Sequence, residues 1–203
     1  MAERAPVPPR QSALGALRAP PRPAGDQWAR VRLQERQEVL IRQIAACREV
    51  DVGPLRAALA ERLGVTLPEG RDARGDEGRV VLPIAPRRWW LVEDQEHAAE
   101  PGSLAAALEE RAALTDLSHA RTVVRLAGSP GRSVLAKLGR IDLHPRTFPS
   151  GRVAQTALGQ VPALIHALGD GSGFDLYLPR SLAASAIASL IDAGLEFGIA
   201  LSG

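Results

Sequence analysis

Asp116, Ser118 and His119 lie close together in the chain, and their types are those of an orienting carboxylate, a nucleophile and a base. On an extended strand Asp116 and Ser118 share one face and His119 takes the other. The base then does not reach the hydroxyl, so structural polar contacts at a strand end are expected here, not hydrolysis. His144 and Arg146 flank Pro145 in a stretch between Gly139 and Val153 that fits neither helix nor strand periodicity. Pro145 and Pro149 fix the path of this long loop, and long loops are often functional. Arg146 offers a bidentate fork to a carboxylate on a partner chain. Trp89 and Trp90 follow Arg87 and Arg88, and neighbours on a strand point to opposite faces. One can enter the core while the other meets solvent, an arginine in a cation–π pair, or a partner. Trp89, Trp90, His144 and Arg146 are therefore the candidate subunit contacts.

Other motifs lead away from catalysis. The glycine-rich stretch 169–173 is followed by a strand, whereas a phosphate loop leads into a helix, so a hairpin turn is expected. Neither a Rossmann fingerprint nor a Walker sequence occurs. Cys47 is the single cysteine, which excludes an internal disulfide and a thiolate metal cluster. His97, His119, His144 and His166 show no metal-ligand spacing. No catalytic, cofactor-binding or metal-ligating residue is assigned to this chain.

The elements that would carry these residues alternate between strand and helix. The segment 38–46 fits either type. Gly53-Pro54 opens a helix over 55–63, stopped by Gly64. A polar loop spans 68–78, and strands follow at 79–84 and 89–92. Ser103 is placed to cap a helix over 104–114, with a short strand at 114–118. The second half offers a strand at 122–126, then a helix over 131–138 behind Ser129 and Pro130 and before Gly139. Strands follow at 153–158, 161–168 and 174–178. Ser181 is placed to cap a helix over 182–193, and a strand at 196–201 ends the run. The fold class expected is α+β, with two β-α-β-β-α-β (ferredoxin-like) units over 37–118 and 119–203. A Pro/Arg-rich arm and linker over 1–36 precedes them, its first 25 residues disordered or extended on composition.

The 203 residues include 25 basic and 23 acidic side chains, and the sequence pI is about 9.3. Lys137 is the single lysine. The high pI therefore reflects arginine, which stays protonated far above neutrality, and a formal net charge of +2 makes no field that would select nucleic acid. No apolar run approaches the roughly 20 residues that span a bilayer. Prolines interrupt the N-terminal segment, leaving no signal-peptide core, and a reducing, cytoplasmic setting is expected.

Several motifs resemble one family. They are Leu-Thr-Asp-Leu-Ser-His-Ala-Arg at 114–121, Arg-Leu-Ala-Gly-Ser at 125–129, Val-Leu-Ala-Lys at 134–137, Ile-Asp-Leu-His-Pro-Arg-Thr-Phe-Pro at 141–149, Ala-Gln-Thr at 154–156 and Phe-Asp-Leu-Tyr-Leu-Pro-Arg at 174–180. Together they look like the gamma subunit of heterotetrameric sarcosine oxidase, with Asp-Leu-His-Pro-Arg the most telling. The resemblance covers about residues 114–198 and continues weakly back to about residue 38. It implies a fold related to the folate-binding aminomethyltransferase of glycine cleavage. It also implies a complex that oxidises sarcosine to glycine and passes the one-carbon unit to tetrahydrofolate. In that family the flavins, FAD and FMN, sit mainly on the beta subunit, NAD and folate sites on alpha, and zinc on delta. Gamma is an accessory that packs mainly against alpha. Two alternatives stay open: the gamma subunit of a related N-methyl amino-acid dehydrogenase, and a free-standing folate-binding protein of the aminomethyltransferase-like fold.

Overall fold

In the computed structural model, residues 12, 29–49, 51–76 and 78–202 are described. Apart from Ser12, the expected arm over residues 1–25 lies outside them. The Ser12 hydroxyl donates to the buried Glu35 carboxylate.

Two sheets carry the chain. The first unit runs β2 (Val39–Ala46), α1 (Val52–Leu63), β3 (Arg74–Gly75), β4 (Arg79–Ala85), β5 (Arg88–Asp94), α2 (Pro101–Leu108) and β6 (Ala112–Asp116). Its sheet has the order β3-β4-β5-β2-β6, with every neighbouring pair antiparallel. The second runs β7 (Arg121–Ala127), α3 (Gly131–Leu138), β8 (Val153–Leu158), β9 (Val161–Ala167), β10 (Gly173–Pro179), α4 (Ala183–Gly194) and β11 (Ile199–Ser202). The second unit is not a plain β-α-β-β-α-β repeat, because β8, β9 and β10 form a three-strand meander. It also receives β1 (Val31–Arg36), from the segment expected to be linker. This strand enters between β7, antiparallel, and β11, parallel, in a six-stranded sheet of order β11-β1-β7-β10-β9-β8. Val31 and Leu33 alternate with exposed Arg32 and Gln34, the period of a half-buried strand.

The layers are helix, sheet, sheet, helix. Leu55, Leu59, Leu104 and Leu108 of α1 and α2 pack with Ile44, Trp89 and Leu91 on the outer face of the five-stranded sheet. Val134, Leu135, Ile187 and Leu190 of α3 and α4 cover Val124, Leu126, Ile165 and Leu176 of the other sheet. Between the sheets lies a third cluster that includes Ile41, Leu82, Trp90 and Val92 from one unit and Val123, Val153, Leu164 and Tyr177 from the other. Each sheet thus buries both faces through much of its width, which accounts for strands such as β10 that read as near-continuous apolar runs.

Local chemistry sets the boundaries. Asp51 caps α1 by accepting from the Gly53 amide at 3.0 Å, and Gly64 closes it in the left-handed conformation. This helix begins three residues earlier than expected, with Pro54 still in its first turn, where a missing N–H is tolerated. Neither Ser103 nor Ser181 acts as a cap. Ser103 lies inside α2, which starts at Pro101, and Ser181 lies in a 3-10 turn ahead of α4. Likewise α3 begins behind Pro130 without a side-chain cap from Ser129. A short 3-10 turn separates α2 from β6, so the strand begins at Ala112 instead of Leu114.

Candidate functional site

A cleft of about 950 Å³ opens between the two units. Its walls are the start of α1, the 68–71 loop, the turn between β4 and β5, the 141–148 loop and the start of β8. The 68–73 segment, expected only as a polar loop, is tied to the second unit. Val153 donates to the Arg71 carbonyl at 2.9 Å, Ala73 donates to Gly151 at 2.8 Å, and Arg152 pairs with Asp72 at 2.6 Å. The Gln155 side-chain amide donates through Nε2 to the Ile84 carbonyl. On the wall formed by α1, Arg56 pairs with Glu69, and across the cleft Arg87 donates to the Cys47 carbonyl. Arg87 itself takes the left-handed conformation (φ 62) in the tight β4–β5 turn.

The 141–148 loop is a built platform. The Asp142 carboxylate accepts from the His144 amide at 2.8 Å, and that bond, with help from the Thr147 hydroxyl, holds the Asp142 carboxyl below its ordinary range. The His144 carbonyl accepts from Thr147 at 2.9 Å and Phe148 at 2.8 Å, closing a tight turn around Pro145. Leu143 and Phe148 plug into the core beneath α3 and α4. Arg132 of α3 donates to the carbonyls of Leu143 and Phe148, at 2.6 and 2.9 Å, and lies over the Phe174 ring at 5.1 Å. The plugs turn inward, and His144, Pro145 and Arg146 are exposed.

The two tryptophans differ from expectation. Trp89 and Trp90 are 4% and 7% exposed, so neither presents a face to a partner. The physical reason is the second sheet: adjacent residues on a strand covered from both sides both enter a core. The Trp89 indole donates to the Pro68 carbonyl at 3.0 Å at the floor of the cleft. Trp90 meets Tyr177 edge-on with centroids 6.0 Å apart, and the cation over its ring is Arg121 at 5.1 Å, not Arg87 or Arg88. His144 and Arg146 are exposed whereas both tryptophans are buried, so the four candidates do not form one surface patch.

Asp116, Ser118 and His119 are likewise not brought together. The Asp116 carboxylate accepts from the Ser118 amide at 2.8 Å, Ser118 is buried with its Oγ accepting from the Ile41 amide at 3.0 Å, and His119 is exposed. The 169–173 stretch is the turn of the β9–β10 hairpin, with Asp170 accepting from the Ser172 amide.

Sequence reasoning missed two interior ion networks. Asp175 accepts from Arg125 at 2.8 and 3.0 Å and from Arg36 at 2.9 Å, and Arg36 also pairs with Asp94 of the other sheet. Bonding to Asp175 raises the Arg125 pKa. Glu93 accepts from Arg42 and from Arg79 at 2.7 Å, and from the Ala99 amide at 3.0 Å. Their signal was available: Asp175 interrupts an apolar run at a position whose face the alternation defines. His166 lies opposite Asp175 across the β9–β10 ladder, and burial lowers its pKa to about 4. Burial pushes the Tyr177 hydroxyl up. Among the described residues, no group of three or more His, Cys, Asp or Glu side chains is placed to hold a metal ion, and no helix is long and apolar enough to cross a membrane.

This doubled, two-sheet arrangement has a counterpart. Residues 76–203 match the family model of the GCVT N-terminal domain, which defines the class of fold. The glycine cleavage system aminomethyltransferase T from Bartonella henselae shares that fold, with a TM-score of 0.61 and 18% identity over 86% of this chain and 48% of that one. Within this class the similarity narrows. The chain is 36% identical to the sarcosine oxidase subunit gamma of an Arthrobacter species over 168 residues, covering 78% of this chain and 81% of the relative. A chain in the structure of the heterotetrameric sarcosine oxidase from Corynebacterium sp. U-96, in complex with pyrrole 2-carboxylate, superposes with a TM-score of 0.72 and 30% identity, over 85% of this chain and 88% of that one. The chain belongs to the sarcosine oxidase gamma subunit family.

Proposed function

We propose that this chain is the gamma subunit of a heterotetrameric sarcosine oxidase and serves it as an accessory without catalytic residues of its own. The observation that carries the reading is the match over nearly the whole length of a chain from such an oxidase, at a TM-score of 0.72. In this reading alpha is the main neighbour, with beta and delta completing the complex. FAD, FMN, NAD, tetrahydrofolate and zinc belong to those partners. The complex demethylates sarcosine to glycine, and the 141–148 platform, which displays His144 and Arg146, is a contact with a partner.

The internal chemistry agrees with an accessory role. Asp175 and Glu93, each 1% exposed, are saturated by guanidinium and amide donors, which leaves little for a reacting group. Arg56 and Arg152 face carboxylates of this chain, and one oxygen of Asp142 is taken by the His144 amide. No step of the reaction is assigned to these residues.

The test is purification of the tagged chain from its native cells, with flavin absorbance and sarcosine turnover read in the eluate. A yellow complex that turns over sarcosine is expected. A yellow complex active only on another N-methylated amino acid would transfer the subunit to a different dehydrogenase. A colourless lone chain would overturn the proposal, and titration with tetrahydrofolate would then test a free-standing folate-binding protein.

A further inference from the structure

The chain as a whole is nearly neutral, yet the inter-unit cleft is not. Arg56, Arg71, Arg87 and Arg152 line it, against Glu69 and Asp142. Two of these arginines are satisfied within the chain, Arg56 by Glu69 and Arg152 by Asp72. Arg71 lies exposed on the wall with no ion pair or side-chain hydrogen bond among the described residues. Arg140 and Arg146 flank the lining segments Ile141-Asp142 and Thr147-Phe148, are exposed, and are equally free of side-chain partners. Arg71 thus lies on the wall of the opening and Arg140 and Arg146 adjoin its lining segments, each guanidinium able to take a carboxylate in a bidentate fork.

The cleft also offers backbone. In the β8–β9 ladder the Ala167 amide donates to the Arg152 carbonyl, while the Val153 amide turns the other way, to Arg71. Antiparallel alternation then directs the N–H and C=O groups of Gln155 away from β9, on the short outward stretch of β8 left between the Asp72–Arg152 and Gly139–Leu158 bridges. Pro162 stands opposite Ala157, a place where its missing N–H costs no ladder bond. Pro68, Pro83, Ile84 and Phe148 give the same cleft an apolar lining.

We propose that this cleft is a docking groove for an extended, acidic segment of a partner subunit. Carboxylates of that segment meet Arg71, Arg140 and Arg146, and its backbone passes over the short stretch of β8 at Gln155 that the chain's own bridges leave uncovered. This inference rests on the proposed role as a subunit and names the surface and the chemistry of the contact. A small anionic ligand is the less suited occupant. Small-molecule sites converge a few polar groups on an enclosed volume, whereas here Arg71 lies exposed on an open wall and Arg56 and Arg152 are already neutralised by carboxylates of this chain. The rim charges act chiefly on the rate of encounter and on salt sensitivity, as charges at the border of an interface do.

The experiment uses the co-expressed complex. A photo-crosslinking amino acid replaces Thr147, on the cleft wall beside Arg146, and the crosslinked peptide is identified by mass spectrometry. A crosslink to a partner peptide rich in Asp and Glu is expected. A peptide without acidic residues, or crosslinking within this chain only, would overturn the proposal. In parallel, the double variant Arg71→Glu/Arg146→Glu should weaken assembly by about tenfold at low ionic strength, with the deficit shrinking as salt rises. Arg32→Glu, on β1 and four strands from β8, should leave assembly unchanged. Equal effects of the double variant and of Arg32→Glu, or none in the double variant, would refute the groove. If instead the unaltered chain captures no flavoprotein, the subunit reading itself fails, which separates the two conclusions. Protection of the groove by inorganic phosphate or free glutamate, with no partner crosslink, would assign it to a small anion and reject the docked segment.

Discussion

Asp175→Asn tests whether interior charge joins the two units. Asp175 is 1% exposed, and three guanidinium N–H groups point at its two oxygens. An amide nitrogen at either oxygen's place must meet at least one of those donors. In the better orientation it replaces Oδ1, so the bond from Nε of Arg125 is lost and the two bonds at Oδ2 remain, now to a neutral acceptor. A hydrogen bond to a charged group contributes about 1.5–3 kcal/mol and a neutral one about 1 kcal/mol. Arg125 is 36% exposed and regains water, and Arg36 keeps Asp94. The expected loss is therefore about 2–4 kcal/mol, at or below the cost of stripping one partner from a fully buried pair. Urea unfolding followed by tryptophan fluorescence reads it, since Trp89 and Trp90 are both buried. The midpoint should fall by about 1–2 M, with the slope unchanged. Asp170→Asn, in the exposed hairpin turn, should not move it. A midpoint within about 0.2 M of the unaltered chain would refute the reasoning, because Arg36 and Arg125 would then not depend on Asp175.

Three further outcomes are expected. Burial holds the His166 pKa at about 4 against an ordinary 6.5, so the unfolded chain takes up a proton before the folded one as the pH falls. Stability present above pH 6.5 should therefore drain between 6.5 and 4, by up to about 3 kcal/mol, and urea midpoints at pH 7 and 5 should show His166→Leu flattening that slope. Arg132→Ala removes both donors to the 141–148 platform, and hydrogen exchange there should speed up with a stability loss of about 2 kcal/mol, while unchanged protection would mean the apolar plugs suffice. Gly128→Ala adds a Cβ about 2.0 Å from the Arg30 carbonyl at φ 110, where β7 runs beside β1. It should cost about 2 kcal/mol or more in thermal unfolding, and a neutral result would mean that β1 yields at this point.

Much of the fold was legible where local chemistry is strong. The Gly64 stop of α1, the Gly139 end of α3 and the β8–β9–β10 strands lie close to where turn residues and periodicity set them. Strand β1 was hidden by its neighbourhood, since six residues with alternating Val and Leu follow a proline-rich segment whose composition dominates a window average. The serines chosen as caps failed because α2 and α4 begin without a side-chain cap. Trp89 and Trp90 failed for a tertiary reason. Period-2 logic gives the two faces of a strand correctly, but it does not reveal that a second sheet covers the face that would otherwise meet water. The 141–148 platform was legible as a place, by its length and prolines. Its anchoring by Arg132 was not, because that contact depends on how α3 sits over the sheet.

The distribution of arginine ties these observations together. A guanidinium carries five donors in a planar fork, so a single Arg36 can bind Asp175 in one sheet and Asp94 in the other, and Arg79 can reach Glu93, the Leu63 carbonyl and the His97 carbonyl at once. A lysine at either place would supply a point charge without the second and third geometrically fixed bonds. Interior arginines therefore act as braces between layers, and the buried carboxylates they engage are saturated. Arg71 on the cleft wall, and Arg140 and Arg146 beside its lining segments, differ in one respect: none of the three has a side-chain partner among the described residues. The same residue type thus does two jobs, and what separates them is whether this chain supplies the carboxylate. Inside, it does; around the cleft, the proposed partner segment supplies it.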